Sequence, residues 1–386
     1  MFNMKLKRFS IALLSTYLIF SVTTNAIACT VLAIFDTHGN VYQGRTNEFA
    51  GQQPDSMMYL PAGTRIESVT QDGKPGATFD TKYGVLGVFL SGPFDPAAKN
   101  PTVHEAVNDQ GMTLTTNALI ENDPPIPTGP ADKILSALDA GMWALGNFAT
   151  VKEVKQAINN KEVEIWLPRI ESMANFYAPL HFALYDKEGG AIVIEFTNGK
   201  TEVYDNPVRV LTNDPPFPWH LTNMNNYAYL TNIDKNSGQF NGLKVAATDS
   251  GGAQAGLPGI ETSVGRFVKA AYYSNFVEKA QTPDQALITL SHVMNNFDRP
   301  KGISADLPGT ASRAEAVAAT KISSEATYFT VMNDLSRHHF YIRTINSINY
   351  TKFDVKKLSA LKEKKVVKFS DINAFDRLDA TELFFK

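Results

Sequence analysis

The chain has 386 residues, 44% of them hydrophobic and 19% charged, with 36 basic against 39 acidic side chains and a formal net charge of −3. This is the composition of a soluble globular protein with length for one large domain or two ordinary ones, and without a Lys/Arg cluster it argues against binding a nucleic-acid backbone. One cysteine, Cys29, excludes an internal disulfide, so the fold has to stand on its core.

In chain order, Lys5, Lys7 and Arg8 come first, residues 11–22 form an apolar run, and Ala26-Ile27-Ala28 supplies a small-residue cleavage pattern. Together these read as a secretory signal peptide. The run is too short for a membrane anchor, since about 20 apolar residues are needed to span a bilayer. Residues 1–28 hold three basic and no acidic side chains, so their removal takes the net charge to −6 and makes Cys29 the first residue of a mature chain, 29–386. A processed N-terminal Cys carries a thiol nucleophile and a free α-amine that can act as its base. Two other readings stay open: a buried thiol acting as a small hydrophobe, and a lipidated cysteine. A lipobox wants a large aliphatic residue three places before the Cys, where this chain has Ala26.

Residues 30–35 and 41–48 are β-type runs about the turn signal His38-Gly39-Asn40, a hairpin that returns Arg45 and Glu48 alongside Cys29. Residues 132–148 have helical apolar spacing, and Thr150-x-x-Glu153 starts a second helix with a capping box. Residues 181–185, 191–196, 200–204 and 208–212 read as an antiparallel meander with tight turns at Gly189-Gly190 and Asn198-Gly199. A long amphipathic helix follows over 264–280, another starts with a capping box at Thr282-Pro283-x-Gln285, and 328–332 with 339–344 form a last hairpin. No linker, repeat or low-complexity block divides the chain, so 29–386 is expected to be one domain of the α+β class, with helices covering the apolar faces of antiparallel sheets.

Five motifs in sequence order carry a family resemblance: Cys29-Thr30; Gly44-Arg45-Thr46-Asn47-Glu48; Val210-Leu211-Thr212-Asn213-Asp214-Pro215; Trp219-His220-Leu221-Thr222-Asn223; and Gly256-Leu257-Pro258-Gly259 with Arg266-Phe267. The set resembles the choloylglycine hydrolase family, the bile salt hydrolases and penicillin V acylases. The resemblance implies an N-terminal-nucleophile amidohydrolase with an αββα sandwich of two stacked antiparallel sheets flanked by helices. It implies no cofactor and no metal, and the seven His residues include no HExxH motif for one. It also implies a small-molecule amide substrate and a homo-oligomer, a tetramer in the family.

Carried onto this sequence, the resemblance makes Cys29 the nucleophile, with its α-amine as general base. Arg45 becomes the cation that lowers the thiol pKa. Glu48 stands where many members have Asp and would hold the α-ammonium with one extra methylene of reach. Asn213 would lend a side-chain N–H to an oxyanion hole, although by itself it also reads as a turn-initiating Asn before a Pro-rich loop. Arg266 would support the pocket's electrostatics, although by itself it reads as a solvated helix residue. The turn Asn108-Asp109-Gln110-Gly111 places Ala118 at a position where the family has a polar or aromatic residue, with Asn117 one residue away as a candidate oxyanion contact. An aromatic set, Phe49, Phe89, Trp143, Phe217, Trp219 and Tyr229, could line an apolar acyl pocket; only Phe49, Phe217 and Trp219 adjoin the motifs. Export signal and motifs resemble the Gram-negative branch, which implies a periplasmic or secreted enzyme acting on conjugated bile acids, penicillin V-like amides or acyl homoserine lactones. The alternative is a lipidated, non-catalytic binding protein of the same fold.

Overall fold

A computed structural model describes residues 27–49, 54–90, 100–170, 175–309 and 322–374, so the expected signal segment up to residue 26 lies outside the described residues. Numbering only the strands of the two large sheets, the first sheet contains β1 (Ile27–Phe35), β2 (Val41–Phe49), β10 (Val210–Leu211), β11 (Ala326–Asp334), β12 (His339–Thr344) and β13 (Thr351–Asp354). Their spatial order is β10-β1-β2-β11-β12-β13, antiparallel throughout. The second sheet contains β3 (Ser56–Leu60), β4 (Val85–Leu90), β5 (Thr102–Asn108), β6 (Met112–Asn117), β7 (His181–Asp186), β8 (Ala191–Thr197), β9 (Lys200–Asp205) and β14 (Lys365–Lys368). It runs β9-β8-β7-β6-β5-β4-β3-β14, also antiparallel.

The central strands of both sheets are buried on two faces, which is why their sequences run near-continuously apolar or place polar residues inside. One core joins β1 and β2 to the facing side of the second sheet and to helices α4 (Ser263–Phe276) and α5 (Pro283–Asn295) through Phe267, Leu290 and Met294. A second core seals the outer face of the second sheet under α1 (Ala137–Asn147) and α2 (Val151–Asn159), with Trp143, Leu145 and Val154 inside. Two glycines mark how closely the outer layers approach. A Cβ on Gly44 of β2 would lie 2.5 Å from Met294 Sδ, and one on Gly141 of α1 would lie 2.6 Å from Val103 Cβ. The result is the expected α+β sandwich, helices over two stacked antiparallel sheets.

Three local expectations differ from the structure. Residues 134–136 form a short strand parallel to Glu164–Trp166, so helix α1 begins only at Ala137, capped by Ser136. The helix expected over 264–280 ends at Phe276. The fourth meander strand does not stay with its neighbours: Val210–Leu211 crosses to the first sheet and pairs with Val31 and Leu32 of β1. That crossover carries the following residues, Thr212 and Asn213, to the start of β1.

Candidate active site

The β1–β2 hairpin pairs Cys29 with Asn47, Val31 with Arg45 and Ala28 with Glu48. Strand periodicity then sends Cys29, Arg45 and Asn47 to the face toward the second sheet, and Ala28 and Glu48 to the opposite face. Cys29 is fully buried. Arg45 Nη2 donates to Cys29 Sγ at 3.1 Å and to the carbonyl oxygen of Thr116 on β6 at 3.0 Å. Arg45 Nε lies 3.7 Å from Glu105 Oε2, with both side chains inaccessible to solvent. The thiol lies 3.6 Å from Asn47 Oδ1, and that oxygen lies 2.6 Å from His104 Nε2.

From the other side, Cys29 N donates to Asn213 Oδ1 at 3.0 Å. Arg266 Nη2 donates to the same oxygen at 2.8 Å, while Nη1 donates to Thr30 Oγ1 at 2.7 Å and to the Cys29 carbonyl oxygen. Its Nε donates to Glu261 O, so the buried guanidinium ties the N-terminus of α4 to β1 and to the loop after β10. Far from a solvated helix face, Arg266 occupies the interior. Asn213 is held further by Ser263 Oγ on its backbone N–H and by its own Nδ2 donating to Ala118 O at 3.0 Å. The amide oxygen, not the amide nitrogen, therefore faces the Cys29 nitrogen.

Glu48 is fully buried on the other face, where Thr327 Oγ1 donates to its Oε1 at 3.1 Å and Oε2 has no hydrogen-bond partner among the described residues. Asn117 donates to Thr212 O at 2.8 Å, which pins the crossover strand to β6. Among the aromatics, Phe217 is wholly buried, its ring lying beside those of Tyr204 and Phe267. Phe89 and Trp143 likewise sit in the α1-side core. Phe49 is buried at the end of β2 opposite Ala326, whereas Trp219 is 45% exposed on α3 (Phe217–Asn223) and Tyr229 is exposed beyond it.

Four groups near the site carried no signal of their own in the sequence. His104 reaches the inter-sheet layer because β5 has a bulge there: Val88 pairs with Glu105 but Phe89 with Val103, leaving both His104 and Glu105 aimed at Arg45. His181 and Glu195 form a buried pair at 2.9 Å that accepts the Phe217 N–H and meets Thr212 O, fixing the loop that bears Asn213.

Burial pushes the Cys29 thiol up to about 11, against the opposing pull of Arg45. Burial, with Arg45 beside it, holds His104 neutral, its pKa well below the ordinary value. Burial also pushes both Glu48 and Glu105 up to about 7, although Arg266 and Arg299 pull on the first and Arg45 on the second. Among the described residues no group of His, Cys, Asp and Glu could hold a metal ion, and no helix is long and apolar enough to cross a membrane.

The family model for linear amide C–N hydrolases, choloylglycine hydrolase family, matches residues 29–367. The chain belongs to this family. It is 26% identical to the bile salt hydrolase/transferase of Clostridium perfringens over 89% of this chain and 100% of that one. It is 24% identical to the penicillin V acylase of Pectobacterium atrosepticum over 74% of each chain. A crystal structure of a mutant conjugated bile acid hydrolase from Clostridium perfringens superposes with a TM-score of 0.71 at 26% identity, covering 88% of this chain and 96% of that one. This choloylglycine hydrolase family member is a hydrolase of carbon–nitrogen bonds in linear amides, and its fold is the N-terminal-nucleophile sandwich of those neighbours.

The two raised carboxyls give this hydrolase a pH-dependent stability. A carboxyl whose folded pKa exceeds its unfolded value binds more protons in the folded state between the two, so stability is full below the unfolded value and lost as pH rises through the folded one. For Glu48 that window runs from 4.5 to about 7. In the unprocessed chain, stability is expected to fall across it, and Glu48→Gln to remove on the order of 1 kcal/mol or more of the fall. Urea midpoints at about pH 5 and about pH 8 check this; a difference untouched by the substitution contradicts it.

Proposed function

We propose that this linear amide hydrolase is an exported cysteine amidohydrolase whose working form begins at Cys29, acting in the periplasm or outside the cell. The observation that carries the reading is a thiol fixed 3.1 Å from the Arg45 guanidinium, with its own residue's nitrogen 3.0 Å from Asn213 Oδ1. The family match opening at Cys29 supports it. In the intact chain the Cys29 nitrogen is an amide, which is no base, and the buried thiol is held protonated. Cleavage after Ala28 makes that nitrogen an amine of pKa about 7.7 to 8.0, close enough to take the thiol proton. It also removes the β1 residues paired with Glu48 and Phe49, leaving Glu48 Oε2, which has no hydrogen-bond partner among the described residues, to receive the ammonium.

The reaction then runs in two steps. The thiolate attacks the amide carbon, the C–N bond breaks, and the α-ammonium returns its proton to the leaving amine. Water, deprotonated by the same amine, attacks the thioester carbon and releases the acid and the thiol. The named activities of the relatives suggest conjugated bile acids or penicillin V-like amides as substrates, and acyl homoserine lactones, which also join an acyl group through a linear amide, belong to the same proposal. The exposure of Trp219, next to the His220 whose Nε2 lies 3.0 Å from Asn213 O, supports assigning this aromatic as a contact for the acyl group.

The test is a hydrolysis panel of glyco- and tauro-conjugated bile acids, penicillin V and long-chain acyl homoserine lactones, run beside mass spectrometry of the N-terminus. A free N-terminal Cys29 with turnover of at least one substrate is expected. A lipid on Cys29, or equal turnover by a protein that retains residues 1–28, overturns the reading. A homo-oligomer is also part of the proposal, supported by Phe240 and Leu243 exposed on the hairpin of Ser237–Phe240 and Leu243–Ala246.

A further inference from the structure

Arg45 is not alone with the nucleophile. Its guanidinium is shared between Cys29 Sγ, 3.1 Å from Nη2, and the Glu105 carboxylate, 3.7 Å from Nε, in a layer closed to water. Glu105 is in turn aimed by two donors. Thr115 Oγ1, across the β5–β6 pairing, donates to Oε2 at 2.6 Å, and Gln43 Nε2 donates to Oε1 at 3.4 Å. Gln43 has its amide orientation fixed from the far side, because Asn333 Nδ2 donates to Gln43 Oε1 at 2.7 Å. A directed chain thus runs from β11 through Gln43 and Glu105 to Arg45 and the thiol. The other groups facing Arg45 carry no counter-charge: His104, which is neutral, Asn47, the Thr116 carbonyl and the Phe329 ring.

We propose that Glu105 is a positioning residue for the reaction at Cys29: it anchors the guanidinium against the thiol and balances its charge, so that the Arg45–Glu105 pair, rather than Arg45 alone, sets the acidity of the nucleophile. A buried cation with a carboxylate partner attracts a nearby thiolate less than the same cation without one. The pairing leaves the thiolate basic enough to attack an amide, since thiolate nucleophilicity falls as its pKa falls. The proposal rests on Cys29 being the nucleophile, as proposed above. Glu48, Arg266 and Glu325 also act on the thiol electrostatically, whereas the groups acting on Glu105 are Arg45, Thr115 and Gln43.

The lone cysteine makes the test clean, because alkylation by iodoacetamide reads Cys29 and no other thiol. The alkylation rate of the processed enzyme is measured against pH for wild type, Glu105→Gln, Glu105→Asp and Thr115→Val, beside kcat and KM for an amide substrate. Glu105→Gln is expected to move the thiol titration down by about 1 unit, with kcat falling more than KM rises. Thr115→Val, which withdraws one donor from the carboxylate, is expected to shift it in the same direction by less, and Glu105→Asp to restore the wild-type titration. Titrations of Glu105→Gln and Thr115→Val that match wild type, or move upward, overturn the proposal; should the Gln variant not fold, Thr115→Val decides alone. Failure of the underlying reading looks different: alkylated wild-type enzyme would still hydrolyse amides.

Discussion

Replacing Cys29 with alanine in the processed protein is expected to lower kcat/KM for amide hydrolysis by at least about a thousandfold, a loss of roughly 4 kcal/mol in transition-state stabilisation. Sγ is the atom that Arg45 Nη2 addresses and the proposed nucleophile, so on that proposal its removal leaves the polar groups around residue 29 with no reacting centre to act on. The fold should survive. The substitution removes one buried sulfur from a strand held by full pairing to β2, while Arg266 and Asn213 bind residue 29 only through backbone atoms. Cys29→Ser keeps the volume and tests the chemistry separately. A hydroxyl lacks the accessible anion of a thiol, so the serine variant should stay within about tenfold of the alanine variant's low activity. Hydrolysis rates with circular-dichroism melts check both; alanine activity within tenfold of wild type would sink the nucleophile assignment.

Much of this arrangement was legible because strand periodicity is local. The hairpin of residues 30–35 and 41–48 forms as read, and period two places Asn47 beside Arg45 and Cys29 without further information. The capping box at Thr150 and the cap at Thr282 also form where the residue types ask for them. What was not legible depends on partners distant in sequence. Residues 208–212 look like a fourth meander strand, yet Val210 and Leu211 pair along the edge of β1, and no local pattern records that choice. Residues 134–136 have helical spacing but are recruited as a strand by Glu164–Trp166. His104 reaches Arg45 only through a bulge, and Glu105 looks like any charged strand residue until Gln43, Arg45 and Thr115 surround it. Phe217 adjoins a motif, but the tie of its backbone N–H to Glu195 and the inward turn of its ring to Phe267 depend on residues distant in sequence.

Arg266→Leu is expected to cost about 3 to 5 kcal/mol of stability, the range for breaking a buried charged hydrogen-bond network, and at least a hundredfold in kcat. Four acceptors depend on this one side chain: the carbonyls of Cys29 and Glu261, Thr30 Oγ1 and Asn213 Oδ1. Leucine leaves the acceptors on Cys29, Thr30 and Asn213 buried without that donor, and each lost bond to a buried acceptor costs about 1 to 3 kcal/mol before relaxation. The buried Glu48 also loses a cation that favours its ionised form, which raises its pKa further. The effect on rate follows from position rather than contact with the scissile bond. Asn213 Oδ1 would lose the donor that aims it at the Cys29 nitrogen, and a misplacement of about 1 Å at a reacting group can cost a hundredfold. Arg266→Lys discriminates charge from geometry, because one ammonium cannot reproduce the fork that reaches Cys29 O, Thr30 Oγ1 and Asn213 Oδ1 together. Lysine should therefore recover stability only in part and kcat by less than tenfold over leucine. Urea denaturation with steady-state kinetics measures both quantities. Full kcat in the lysine variant would show that charge alone is required, and the two-armed clamp across β1 and the crossover strand would then have no part in catalysis.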